Sequence, residues 1–143
     1  MNERQIIVSD LPGRPKLVLD KMTGNLTPVQ GEVLPLRGSF VVVHGNKFCM
    51  YAEGAHLYLQ QGARRWEITN DAAITYSHDF DLKTTTFGIG DLRIEYEAWW
   101  ADDPNFNKFA PESDENYDFL AYVFELSQDD DRRRDLIQRW SAA

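Results

Sequence analysis

The chain has 143 residues, a formal net charge of −8 and a single cysteine. This length fits one domain, residues 1–143, with one continuous core, and one cysteine excludes an intramolecular disulfide framework. The start of the chain is charged and leads into only a short apolar stretch, residues 6–8. It therefore lacks the apolar run of about 7 to 15 residues in a secretory signal, and no stretch reaches the roughly 18 of a membrane span. We expect a soluble, cytoplasmic domain.

The first 37 residues predict only short elements. Residues 5–8 and 16–19 read as strands, whereas prolines and glycines interrupt anything longer. From Gly38 onward the pattern has a period of two, with turn signals about every 8 to 12 residues. Such spacing is typical of an antiparallel sheet made of successive hairpins.

The predicted hairpin with the strongest turn signal joins residues 39–44 and 47–52 through Gly45-Asn46. Cys49 lies within it among apolar neighbours, so we expect a buried thiol that is not a nucleophile. Further strands are predicted over residues 56–60, 64–69, 74–78, 82–87 and 92–100.

The strand over residues 92–100 has two distinct faces. Alternation sends one set of residues to the core: Leu92, Ile94, Tyr96, Ala98 and Trp100. It sends the other set to the opposite face: Arg93, Glu95, Glu97 and Trp99. Trp99 is therefore a large apolar side chain on a face otherwise made of charges.

The C-terminal part of the chain predicts a strand followed by a helix. Residues 117–126 are apolar and rich in Tyr, Phe and Val, which favours a strand, although their length suits a helix as well. A terminal helix is predicted to begin at Ser127, with Leu136, Ile137 and Trp140 on its apolar stripe. The aspartates and arginines of residues 129–135 are spaced to pair with one another on that helix.

These elements predict a mainly β (α+β) fold. We expect an antiparallel meander that forms a strongly curved sheet or barrel of about seven or more strands, with one C-terminal amphipathic helix packed on it. This element order resembles that of pleckstrin-homology-like barrels. The likeness is one of architecture, and it does not imply their usual basic phosphoinositide site, because the negative end of this chain opposes one.

The negative charge is concentrated in the last third of the chain. Residues 91–143 contain 14 acidic and 6 basic residues, whereas residues 1–90 contain 9 of each. A one-sided negative field repels nucleic acids and anionic membranes and attracts basic partners. We therefore expect a basic protein partner, and neither nucleic acid nor membrane.

Catalytic and metal-binding patterns are weak. Ser77, His78 and Asp79 are adjacent on a strand, so they point to alternating faces and cannot form a triad with one another. His44 and His56 lie on different strands from His78, which does not favour a shared zinc site. We predict no catalytic residues and no cofactor.

One calcium-loop spacing begins at Asp103 and continues through Asn105 and Asn107 to Asp114. Lys108 occupies the position where such loops need a glycine, and the preceding segment alternates like a strand instead of a helix. The spacing therefore does not support a metal site.

The predicted partner-binding surface combines acidic and aromatic residues around Trp99. Exposed aromatic residues with a charged rim resemble a protein-binding hot spot. The residues are Glu95, Glu97, Trp99, Asp102, Asp103, Phe106, Phe109, Glu112, Asp114 and Glu115. In the alternative interpretation, residues 101–117 fold back and cover Trp99.

Three functions are compatible with this sequence. The first is a non-catalytic binding or inhibitory module that engages a basic protein, similar in size and charge to bacterial immunity proteins and phage-encoded inhibitors. The second is a small-ligand β-barrel, or an enzyme built on one, with His56, Tyr58, Tyr76 and His78 lining a cavity. The third is a structural subunit of a viral or secretion assembly.

Overall fold

The computed structural model of the chain describes residues 4–9, 16–31, 35–71, 73–97 and 118–141. Within these residues it contains ten strands in two sheets, followed by two helices. The strands are β1 Gln5–Ser9, β2 Leu17–Asp20, β3 Leu26–Pro28, β4 Gly38–Val43, β5 Asn46–Glu53, β6 His56–Gln61, β7 Arg64–Glu67, β8 Ile74–Asp79, β9 Thr84–Ile89 and β10 Leu92–Glu97. The helices are α1 Phe119–Gln128 and α2 Asp130–Ser141.

The large sheet contains seven strands in the order β3-β2-β1-β4-β5-β6-β7, and the small sheet contains three in the order β10-β9-β8. Successive strands pair as antiparallel hairpins from β1 to β3, from β4 to β7 and from β8 to β10, as the sequence predicts for the hairpins. In addition, β1 and β4 pair in parallel through Val8 and Gly38. The mainly β fold is confirmed. Among the described residues no closed barrel is found, so neither the barrel nor the pleckstrin-homology-like arrangement is supported.

The β4–β5 hairpin is present, but its turn lies one residue earlier than predicted. His44 and Gly45 are the central residues, with φ angles of 48° and 80°, and Val43 pairs with Asn46. Two successive positive φ angles match the twist of a two-residue hairpin. The Asn46 amide stabilises this turn by donating hydrogen bonds to the carbonyls of Val43 and His44.

Both faces of strand β5 contribute side chains to a hydrophobic core, so β5 is buried along most of its length. Phe48 and Met50 face a main core shared with the small sheet and the helices. Cys49 and Tyr51 face a second core made with β1 and β2. Alternate residues of one strand thus belong to different cores.

The strand predicted over residues 117–126 is wrong, because residues 119–128 form helix α1. The Asp118 side chain caps this helix by accepting hydrogen bonds from the backbone N–H groups of Leu120 and Ala121. Most side chains of α1 are buried, so apolar residues occur around nearly the whole helix and the helical period is hidden. Burial against the sheets overrides the strand preference of Tyr122 and Val123.

Two helices therefore replace the single helix that the sequence predicts. Ser127, predicted as its N-cap, lies inside α1, and the side chain of Asp129 instead accepts a hydrogen bond from the Arg132 N–H group at 3.1 Å. The predicted apolar stripe is confirmed, since Leu136 is buried in the main core and Ile137 and Trp140 pack against it.

Candidate functional site

The small sheet has one buried face and one outer face. Antiparallel partners lie on the same side of a sheet, so the register defines three rows on the outer face. These rows are Glu97–Thr84–Asp79, Glu95–Thr86–Ser77 and Arg93–Gly88–Thr75. The outer face therefore consists of carboxylates, hydroxyls, one guanidinium and one glycine, without an apolar side chain in these rows.

Glu95 and Glu97 are both exposed on this face, about 7 Å apart along β10. Their predicted orientation is confirmed, since Ile94 and Tyr96 between and beside them are buried. The backbone N–H of Glu97 donates a hydrogen bond to Nε2 of His44 at 3.2 Å. This contact holds the end of β10 against the β4–β5 turn of the large sheet.

The remaining predicted partner-binding residues lie outside the described residues. They are Trp99, Asp102, Asp103, Phe106, Phe109, Glu112, Asp114 and Glu115. The calcium-loop spacing and the predicted core positions Ala98 and Trp100 lie outside them too.

The β8–β9 turn presents two apolar side chains that the sequence analysis does not select. Phe80 is 63% exposed and Leu82 is 72% exposed. The turn has a defined shape, because Oδ1 of Asp79 accepts hydrogen bonds from the N–H groups of Asp81 and Leu82 at 3.0 Å each. The Phe80 ring also packs edge-on against His78, with ring centroids 4.7 Å apart.

This turn lies at the end of the small sheet, next to the outer-face row that contains Asp79 and Glu97. We call Asp79, Asp81, Glu95 and Glu97 the acidic face; all four are exposed. Asp79 and Glu97 flank Thr84 in the row nearest the turn, so the turn that carries the exposed Phe80 and Leu82 directly follows Asp79 of the acidic face in the chain. The cations on the same surface, Lys83 and Arg93, are outnumbered, so its local field is negative.

Directly behind the acidic face, a buried carboxylate joins the small sheet to α1. Asp118 is 4% exposed. The Tyr96 hydroxyl donates to its two oxygens at 2.8 Å each, and the Tyr76 hydroxyl donates to Oδ2 at 2.7 Å. With the two backbone N–H groups of α1, four donors converge on one carboxylate, which is how a buried charge is accommodated.

The two tyrosines serve as hydrogen-bond donors. Burial, together with the adjacent Asp118 carboxylate, raises the pKa of Tyr96 far above its ordinary value of 10.0 and raises that of Tyr76 as well. Both hydroxyls therefore stay protonated at neutral pH. The same hydrogen bond joins β10 to the start of α1, that is, the two described elements between which residues 98–117 lie in the sequence.

The residues of the predicted ligand-binding alternative are divided between the two sheets. On β6, Tyr58 packs against Tyr51, and Nδ1 of His56 lies 3.4 Å from Glu67. On β8, Tyr76 binds Asp118, and Nδ1 of His78 lies 2.7 Å from the Thr85 hydroxyl. Each pair has its own surroundings, and the four side chains do not converge.

The aspartates and arginines at the start of α2 pair as predicted. Asp130 contacts Arg133 at 2.6 Å and Arg134 at 2.7 Å. Arg133 is also buried and donates to the carbonyl of Leu126 at 2.6 Å. It therefore ties the end of α1 to α2 and is not a cation displayed for nucleic acid.

Cys49 is buried, as expected, and burial raises the pKa of its thiol to about 12. In the described part of the chain, no three His, Cys, Asp or Glu side chains are grouped so that they could hold a metal ion.

Neither helix of the described residues is long and apolar enough to cross a membrane. No protein-family model matches the chain, and neither does any curated protein or solved structure compared with it.

Proposed function

We propose that the chain is a non-catalytic protein-binding module, of the inhibitory or immunity type, that engages a basic partner protein through the acidic face. The observation that supports this proposal most is the pair of exposed apolar side chains, Phe80 and Leu82, in the turn that adjoins the row of exposed Asp79 and Glu97. An apolar anchor with a charged rim is the usual arrangement of a protein-binding hot spot.

The two kinds of residue would have separate roles. Phe80 and Leu82 would enter an apolar depression on the partner, where a single anchor can contribute about 2 kcal/mol or more. The carboxylates would accelerate association with a basic surface and select against acidic partners. Residues 98–117, which continue from β10 and contain Trp99, would extend the contact.

The shape of the surface also suits this role. The outer face belongs to a paired antiparallel sheet, the β8–β9 turn is fixed by Asp79, and the base of the sheet is fixed by Asp118. A surface that is already ordered loses less conformational entropy on binding. The proposal excludes nucleic acid and anionic membrane as partners because both would meet like charge.

The proposal is tested by capture of partners from a lysate of the native host with the purified chain as bait. Two double variants address the two roles: Phe80→Ser with Leu82→Ser, and Glu95→Lys with Glu97→Lys. Met22→Ser is the control for the apolar change, since Met22 is also exposed, at 66%, but lies after β2 in the large sheet. Asp131→Lys with Asp135→Lys on α2 reproduces the same change in net charge.

We expect both test variants to lose a basic protein that the original chain and both controls retain. Titration calorimetry with that protein should then show at least about a 30-fold weaker Kd for the Phe80/Leu82 variant. Retention of the same protein by all four variants would contradict the proposal.

A further inference from the structure

Three hairpin turns of the large sheet meet around a cavity of about 350 Å³. The β2–β3 turn contributes Thr23 and Asn25, the β4–β5 turn contributes Asn46, and Gln61 comes from the end of β6. Leu19 and Cys49, from the second core, line the same cavity. Its volume falls within the range of about 300 to 1,000 Å³ that is common for small-molecule sites.

These turns are fixed to one another although their strands are far apart in the sheet. Strands β1, β4 and β5 lie between β2 and β6, yet Nε2 of Gln60 donates to the carbonyls of both Lys21 and Gly62 at 2.7 Å each. Its Oε1 accepts a hydrogen bond from the Tyr51 hydroxyl at 2.9 Å. A buried amide therefore joins the second core to two of the turns.

Two further contacts hold the hairpin turns around the cavity together. Gly24 lies directly against Gly62, so that a Cβ atom on Gly24 would be 2.4 Å from the Cα of Gly62. Nε2 of Gln61 donates to Oδ1 of Asn46 at 3.1 Å. Turns are usually mobile, and turns held in place around a cavity by a rigid scaffold are where binding residues concentrate.

The wall of the cavity has a definite chemical character. Thr23, Asn25, Asn46 and Gln61 supply hydroxyl and amide groups, which both donate and accept hydrogen bonds. Lys47 is the one charged side chain among the described lining residues, and these include neither a carboxylate nor an aromatic ring. The Cys49 thiol, with its pKa raised to about 12, stays neutral.

This composition selects among ligand classes. An apolar ligand would cover the polar groups of Thr23, Asn25 and Gln61 without forming hydrogen bonds to them, which is unfavourable. A strongly anionic ligand would find only one positive charge to pair with, the ammonium group of Lys47. Alcohol groups match amides and hydroxyls in both directions, since each can donate and accept a hydrogen bond.

We propose that this cavity binds a neutral polyhydroxylated molecule, a mono- or disaccharide, through hydrogen bonds to Asn25 and Gln61, with Asn46 holding Gln61 in place. The proposal is independent of the protein-binding function, because the acidic face belongs to the other sheet. A loss of either activity would leave the other intact.

The test is a titration of the ¹⁵N-labelled chain followed by NMR, since the side-chain amides of Asn25, Asn46 and Gln61 report directly on the cavity. The probes are glucose, galactose, mannose, N-acetylglucosamine and maltose, each added separately, and inorganic phosphate. We expect saturable shifts of these amide signals with at least one saccharide, at a Kd of about 1 mM or tighter.

Asn25→Ala and Gln61→Ala should each weaken that binding about fivefold or more, the equivalent of one lost hydrogen bond. Gln128→Ala, an exposed glutamine at the end of α1, is the matched control and should bind as the original chain does. The absence of saturable shifts with all five saccharides would overturn the proposal. Shifts with phosphate alone, or saccharide binding that both cavity variants leave unchanged, would also overturn it.

Discussion

Carboxylates on the two sides of β10 lie in opposite environments. Asp118 is buried on one side, whereas Glu95 and Glu97 are exposed on the other. On the buried face, Tyr96 donates to Asp118, whose side chain receives hydrogen bonds from four donors. On the outer face, Glu95 and Glu97 are exposed to solvent. A desolvated carboxylate must have all its partners in the folded state, so it contributes to stability, whereas a solvated one contributes mainly to the surface field. Substitutions on the two faces should therefore change different measurements.

The largest effect on stability is expected from Asp118→Ala. This change removes the N-cap of α1 and leaves the hydroxyls of Tyr76 and Tyr96 without their acceptor. We expect the free energy of unfolding, measured by urea denaturation, to fall by about 3 kcal/mol. Asp131→Ala, which removes an exposed carboxylate from the first turn of α2, should change it by less than about 1 kcal/mol. A loss below about 1 kcal/mol for Asp118→Ala would show that the buried carboxylate is not structural.

A smaller effect is expected from Tyr96→Phe. The ring stays in the main core while Asp118 loses one of its donors, so the free energy of unfolding should fall by about 1.5 kcal/mol. Tyr58→Phe removes a hydroxyl from a half-buried ring at the second core. It should lower the free energy of unfolding by less than about 0.5 kcal/mol. Equal losses in the two variants, from the same urea titrations, would argue against a special role for the Tyr96–Asp118 contact.

Alkaline pH tests the same contact in a second way. Because the pKa of Tyr96 is raised in the folded state, the unfolded chain releases this proton first as pH rises through 10.0. Stability from this group is fully present below that pH and decreases above it. Between pH 9 and 11 the chain should lose about 1.4 kcal/mol more of its unfolding free energy than Tyr96→Phe does. Parallel pH profiles for the two proteins would contradict this explanation.

The smallest effect on stability is expected on the outer face. Glu95→Lys with Glu97→Lys should change the free energy of unfolding by less than about 0.5 kcal/mol, because both side chains are solvated. Circular dichroism and thermal unfolding would check this. A loss of several kcal/mol would mean that the acidic face is required for folding and would weaken its assignment to recognition.

Local patterns predict the parts of this fold that have one solvated and one buried face. The alternation of Leu92, Ile94 and Tyr96 with charged residues identifies both faces of β10 correctly, since a shift of one residue would bury Glu95. The sheet pairing of β1 with β4 could not be predicted in the same way. It joins strands separated by β2, β3 and the residues that link them to β4, and no local signal specifies it.

The helix over residues 119–128 is hard to predict for a different reason, because it lacks a solvated face. Their side chains are buried around most of the helix, so the period of 3.6 residues is not visible in the sequence, and strand-favouring residues mislead. Asp118 was a usable signal, because an aspartate directly before an apolar run is a common N-cap.

The candidate site was predictable in part. Glu95 and Glu97 were identified from alternation and charge, whereas Phe80 and Leu82 were missed because Leu82 reads as the first residue of a strand. The Asp79-Phe80-Asp81 sequence could have indicated a turn, since Asp79 can accept hydrogen bonds from the residues that follow it. The cavity between the hairpin turns was not predictable, because its walls come together only through long-range contacts.

Photo-crosslinking from position 80 in the native host tests the central claim most directly. A photoreactive benzoyl-phenylalanine replaces Phe80 in one variant and Met22 in a control, since both side chains are exposed. We predict a single adduct with a basic protein, with a pI above about 9, from position 80 and none from position 22. The absence of an adduct from position 80, or the same adducts from both positions, would contradict the assignment of the acidic face to partner recognition.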